Sequence, residues 1–308
     1  MHGMMARVAM IGAVMLCVMA AVAFGQQMGA LPGAVILDSP RDVNAPAQTL
    51  GVRIPSHGVN LNGILLQAAG MGPHPTVILL HGFPGYDGVL DVGHAIRRAG
   101  LNVLSFHYRG SWGSDGPFSF AHCVEDAEAA LSFLRDPKVA EKYRVDPARV
   151  YSVGHSMGGF VAIMLAARAP TLGGVAYLSG WDIGSDASSW KRKPPQATVD
   201  DFENTALRLH GTSGRELLKE ALSHVKDWSL ATLAPRISDR PLLMTFAEYD
   251  LDYPPNINHE PLRRAVEARG GRQLEIRSLP TDHNYADHRV SLSGAVIDWL
   301  QRAVGVDQ

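Results

Sequence analysis

From about residue 49 onward the chain alternates short apolar runs with segments of helical periodicity. Two strand-like runs, 49–54 and 61–67, flank the turn cluster Pro55-Ser56-His57-Gly58. After Pro75 the rhythm becomes regular. Thr-Val-Ile-Leu-Leu at 76–80 reads as an uninterrupted apolar strand, followed by a helix over 89–98 closed by Gly100. A second such strand at 102–106 precedes a helix over 121–135 that Pro137 stops. A strand at 150–153 then runs into a helix over 158–168, and a further strand follows at 174–178. Strands without polar alternation are buried on both faces, and intervening helices supply the crossovers. The pattern therefore predicts an α/β fold with a predominantly parallel sheet covered on both sides.

The rhythm lapses over 183–240. This polar stretch carries Lys191-Arg192-Lys193-Pro194-Pro195 and shows helical patterns around 200–210 and 214–227. It reads as a helical cap insertion over the end of the sheet, the alternative being two lengthened crossover helices. The order resumes with a strand at 241–246, a helix over 260–268, a strand at 273–279 and a closing helix over 286–303. The expected layout is a core at 48–182 and 241–308, the insertion at 183–240, and a lead-in at 26–47 rich in Pro, Ala and Asp.

Residues 1–25 change the picture of where this fold is expected to work. Arg7 is the sole formally charged residue before an apolar run over 8–24, and Ala23-Phe24-Gly25 leads into Gln26-Gln27. That is the layout of a cleaved secretory signal peptide, so a periplasmic or secreted protein is expected, without stable membrane insertion after cleavage. A retained anchor is the alternative, since the run is at the lower edge of what spans a bilayer. Cys17 lacks the small residue before it that a lipoprotein site requires. Beyond residue 25 only Cys123 remains, which excludes an internal disulfide and suits a small buried hydrophobe. With 28 Lys+Arg against 30 Asp+Glu, a net charge of −2, the chain has no electrostatic footprint for nucleic acid.

The candidate chemistry centres on Gly154-His155-Ser156-Met157-Gly158, a Gly-x-Ser-x-Gly sequence between a strand and a helix. A turn that sharp leaves room only for glycine two residues before and after the serine. It exposes the hydroxyl and points the Met157 N–H at the place where an oxyanion forms. A serine nucleophile needs a histidine to take its proton and a carboxylate to orient that histidine. The histidines downstream are His210, His224, His259, His283 and His288. His283 is preferred, because it stands in a turn after a late strand; His288, inside the predicted last helix, is second. For the acid, Asp250 follows the strand at 241–246, with Glu248, Asp252 and the earlier Asp182 as alternatives. The loop His81-Gly82-Phe83-Pro84-Gly85 follows the strand at 76–80, and the Phe83 N–H is the expected second oxyanion donor.

These segments together resemble the α/β-hydrolase superfamily from about residue 52 to 300. The resemblance rests on the loop His81-Gly82-Phe83-Pro84-Gly85, on Gly154-His155-Ser156-Met157-Gly158-Gly159, on Asp250 with Pro254, and on Asp282-His283. It extends to the loop 108–116 and the lead-in 54–63, which look like those of esterase-like and serine-aminopeptidase-like members. Ala247 departs from the glycine that many members carry before the acid. The resemblance implies acyl transfer to water by Ser156, Asp250 and His283, with Phe83 and Met157 holding the oxyanion and no metal or organic cofactor. Asp282-His283 and Asp287-His288 lack the spacing of a strong zinc motif. The expected partner is a small-molecule acyl substrate, first a small or medium carboxylic ester. A short-peptide or aminoacyl hydrolase is second, and a non-catalytic binding protein on the same fold is third. Trp181, Trp190, Phe202 and Trp228 are the candidate apolar walls.

Overall fold

The computed structural model describes residues 31–86, 89–190 and 194–305. The expected signal peptide at 1–25 and the basic run 191–193 lie outside the described residues. Eight strands form one sheet: β1 Gln48–Ser56, β2 Val59–Gln67, β3 His74–Leu80, β4 Asn102–Phe106, β5 Val145–His155, β6 Val175–Leu178, β7 Leu242–Ala247 and β8 Leu274–Leu279. Their order is β1-β2-β4-β3-β5-β6-β7-β8, with β2 antiparallel to both its neighbours and every pair from β4 to β8 parallel. The predicted α/β architecture is observed.

The longer helices are α1 Leu90–Arg98, α2 Phe120–Arg135, α3 Pro137–Tyr143, α4 Met157–Arg168, α5 Ile183–Ser189, α6 Gln196–Ala206, α7 Gly214–Ser223, α8 Glu260–Glu267 and α9 Arg289–Val304. The sheet's continuous apolar strands split between two cores. Ile78 and Leu80 face one with α2 and α4, while Val77 and Leu79 face the other with α1 and α9. That alternation follows from the two-residue repeat of a strand, and it explains why residues 77–80 of β3 carry no polar position. Helix α4 is buried along Met157–Ala167, which is why it reads as apolar all round rather than amphipathic.

Several predicted boundaries moved, each for a local reason. β1 continues through Ser56, and the reversal is a two-residue turn at His57 and Gly58, both with positive φ. Pro137 does not merely stop α2; it opens α3, whose N-cap Asp136 accepts hydrogen bonds from Lys138 N and Val139 N. His288 flanks the N-terminus of α9 and is not within that helix. The stretch 183–240 divides in two. Part of α6 lines a cleft above the strand ends, whereas Leu230–Leu233 and Ala234–Ile237 bury Leu230, Ala234 and Ile237 against the core next to α4 and α8. Among the described residues no helix is long and apolar enough to cross a membrane.

Candidate active site

The carboxyl ends of β3, β5, β7 and β8 lie at one edge of the sheet, and each predicted site residue follows one of them. Leu80 pairs in register with Gly154, and Ala247 with Leu279, so the loops after these strands are neighbours. Ser156 sits at the corner between β5 and α4 with φ 57 and ψ −125, a left-handed conformation that a side-chain-bearing residue adopts only where its surroundings impose it. They do so through close backbone approach. A Cβ on Gly154 would collide with the Gly158 carbonyl, and one on Gly158 with that of Leu80. Gly159 packs close to Gly180 and Tyr177, and Gly82 brings the β3 loop against the Ser156 side chain.

His283 Nδ1 lies 2.7 Å from Asp250 Oδ2. The carboxylate only accepts, so Nδ1 donates, and in the neutral imidazole Nε2 then carries the lone pair. The other Asp250 oxygen accepts from Asp252 N at 3.1 Å and Tyr253 N at 2.9 Å, which fixes the carboxylate plane. The His283 loop is held from three further sides. His155 Nε2 donates to the His283 carbonyl at 2.9 Å, and Tyr285 Oη is shared between Ser179 Oγ at 2.7 Å and Thr245 Oγ1 at 2.6 Å. Tyr249 N donates to Thr281 O, tying the acid loop to the histidine loop. Ser156 and His283 line one cleft, with no hydrogen bond between Ser156 Oγ and the ring among the described residues. The N–H groups of Phe83 and Met157 likewise donate to no other group among the described residues.

The other candidates are elsewhere engaged. Asp182 is fully buried at the N-terminus of α5, where it accepts from Ser185 N, Ser185 Oγ and Leu230 N. Burial pushes its carboxyl up to about 6. Glu248 accepts from Ser278 Oγ, and Asp252 is exposed at the cleft. His288 pairs with Asp287, which also accepts from Thr281 Oγ1, and Asp282 accepts from Ala286 N. His81 donates to the Gly82 carbonyl, and burial holds its imidazole down at about 4. Among the described residues no group of three or more His, Cys, Asp or Glu is placed to hold a metal ion.

The cleft has a volume of about 790 Å³. Trp181, Trp190 and Phe202 line it as expected. Trp228 does not: it is packed between Phe160, Phe120 and the stacked ring of His224. Sequence reasoning missed Tyr86 and Tyr253 as wall residues, and the carboxylates of Asp186 and Asp201. Tyr253 is recognisable only from the fold, since its ring joins His283, at 4.7 Å between centroids, to Trp181 at 5.5 Å.

Residues 77–298 match the family model described as the alpha/beta hydrolase family. The chain belongs to the alpha/beta hydrolase family. Among solved structures, this hydrolase-family chain is similar to ferulic-acid-bound Est1E from Butyrivibrio proteoclasticus, at 18% identity and a TM-score of 0.65. That match covers 82% of this chain and 99% of the other. It is also similar to the acylaminoacyl peptidase of Pyrococcus horikoshii, at 15% identity and a TM-score of 0.62, over 85% of this chain and 42% of that one. An uncharacterized protein of Mycobacterium tuberculosis is 32% identical over 144 residues, which are 46% of this chain and 47% of the relative. The chain thus spans about half the length of the curated relative it matches.

Proposed function

We propose that the protein is a serine hydrolase that cleaves carboxylic esters through an acyl-enzyme on Ser156. The observation that carries this reading is the 2.7 Å His283–Asp250 pair, whose imidazole lines the cleft that also holds Ser156 at its left-handed turn. Asp250 holds the imidazole with Nδ1 protonated, so Nε2 is free to take the Ser156 proton as Oγ attacks the carbonyl carbon. The N–H groups of Phe83 and Met157 donate hydrogen bonds to the oxyanion that develops at the carbonyl oxygen, each worth a few kcal/mol in the transition state. His283 returns its proton to the departing alcohol, leaving the acyl group on Ser156. It then deprotonates a water that releases the acid and restores the hydroxyl. No step calls on a metal or organic cofactor. With residues 1–25 read as an export signal, the reaction belongs outside the cytoplasm.

The test is direct. A fluorophosphonate probe labels Ser156, and Ser156→Ala removes labelling and p-nitrophenyl ester hydrolysis together. Full esterase activity in Ser156→Ala sinks the mechanism.

A further inference from the structure

The wall of the cleft carries a charge pattern that ester cleavage alone does not require. Asp186, Asp201 and Asp252 all line it, and no Lys or Arg does among the described residues. None of the three has an ion-pair partner among the described residues. Asp186 is partly buried; one oxygen accepts from Trp181 Nε1 at 2.9 Å, and burial pushes its carboxyl upward. The Tyr253 phenol, in the wall between His283 and Trp181, is pushed upward by burial and then by the charges of Asp186, Asp252, Asp201 and Asp250. Anionic groups therefore converge on the wall that leads to the reacting histidine.

The rest of the lining suits the same kind of guest. Trp181, Phe202 and Tyr253 line the cleft with aromatic rings, and a cation is attracted to such a ring by its quadrupole. The lining residue Tyr86 already shows that interaction, with the Arg208 guanidinium 5.5 Å from the centroid of its ring. An acidic cluster alone would define no site. Here a separate feature fixes the site: Ser156 is only 5% exposed, lines the same cavity, and its Oγ has no hydrogen-bond partner among the described residues.

We propose that the cleft selects esters or amides bearing a protonated amine, held by Asp186, Asp201 and Asp252 against the aromatic wall while the carbonyl meets Ser156. This inference rests on the reading of Ser156 as nucleophile and narrows its substrate class. Net attraction arises because bringing a cation to three carboxylates that have no ion-pair partner among the described residues relieves their mutual repulsion, whereas a second anion adds to it.

Matched substrates test it. The p-nitrophenyl esters of 6-aminohexanoic, heptanoic and heptanedioic acid differ only in a terminal ammonium, methyl or carboxylate. Protonated 2-(dimethylamino)ethyl acetate and 3-methylbutyl acetate make the same comparison on the alcohol side. The expected result is a kcat/KM at least about tenfold higher for the cationic member of one pair, with the carboxylate ester poorest. The advantage shrinks as ionic strength rises, and Asp201→Asn with Asp252→Asn together reduce it to within about threefold of unity. Asp186→Asn, which keeps an acceptor for Trp181, lowers it as well. The pair in which the advantage appears tells whether the amine belongs to the acyl or the alcohol portion. Equal kcat/KM in both pairs, with Ser156 still labelled by the fluorophosphonate, overturns the substrate class and leaves the nucleophile standing. Should labelling fail, calorimetry on Ser156→Ala still decides: tighter binding of 6-aminohexanamide than of heptanamide supports the cation site, and equal binding overturns it.

Discussion

Asp182 and Asp250 follow neighbouring parallel strands, β6 and β7, and both are nearly or wholly buried. Each accepts two backbone N–H groups: Ser185 N and Leu230 N for Asp182, Asp252 N and Tyr253 N for Asp250. They part at the remaining acceptor. Asp182 gives it to Ser185 Oγ, three residues along its own chain segment, whereas Asp250 gives it to His283 Nδ1, 33 residues away on another loop. The first carboxylate closes a local motif that starts α5 and pins the Leu230 turn. The second joins two loops and orients an imidazole. A buried acid at a strand end is thus a building element shared by scaffold and site, and its third hydrogen bond decides which of the two it serves.

The sharpest way to break this contrast is to neutralise each acid without changing its shape. In the mechanism proposed above, Asp250→Asn leaves the backbone hydrogen bonds possible but favours the wrong imidazole tautomer. The expected loss in kcat is on the order of 10³–10⁴, by analogy with the effect of amide substitution in a serine protease triad. Urea unfolding is expected to change far less. If Asp182→Asn cut turnover as deeply as Asp250→Asn, the histidine's partner would have to be reassigned. The next effect down is structural. Asp182→Ala strands Ser185 N and Leu230 N inside the protein, at a cost of about 2–3 kcal/mol of stability with less than about tenfold lost in turnover. A urea midpoint unchanged by Asp182→Ala would remove that carboxylate from the scaffold.

Much of this was legible in the chain because it is set locally. The apolar run of β3 announces a strand buried on both sides, and the glycines around Ser156 are forced by backbone collisions one turn away. His283 emerged because few histidines lie downstream and only one follows a late strand. The preference for Asp250 over Asp182 rested on less, its place after the later strand, since both sit after apolar strands and only the fold brings His283 to Asp250. The cleft wall was harder still. Tyr253 and Asp186 meet through Trp181 from separate segments, and Trp228 was misplaced because an aromatic in a polar stretch looks alike whether it faces a cleft or α4. His155 showed only as the variable position of the Gly-x-Ser-x-Gly turn, although its ring donates to the His283 carbonyl.

The smallest effect sharpens the comparison through protons. Burial raises the Asp182 carboxyl from its ordinary 3.8 to about 6 in the folded protein. Between those values the folded chain holds a proton at Asp182 that the unfolded chain has released. This contribution to stability is therefore fully present below about pH 4 and is lost as pH rises through about 6. From pH 5 to pH 7 it amounts to roughly 1 kcal/mol. The buried imidazoles of His81 and His259, pushed down by burial to about 4, work in the opposite sense, because there the unfolded chain binds more protons and stability grows with pH. Comparing wild type with Asp182→Asn at both pH values cancels the histidines and isolates the carboxylate. The variant should lose less stability, or gain more, than wild type between pH 5 and pH 7, by about that 1 kcal/mol in urea unfolding. An equal pH dependence in the two proteins would mean that its three hydrogen bonds outweigh burial and hold Asp182 ionised, making its electrostatics those of an ordinary helix cap.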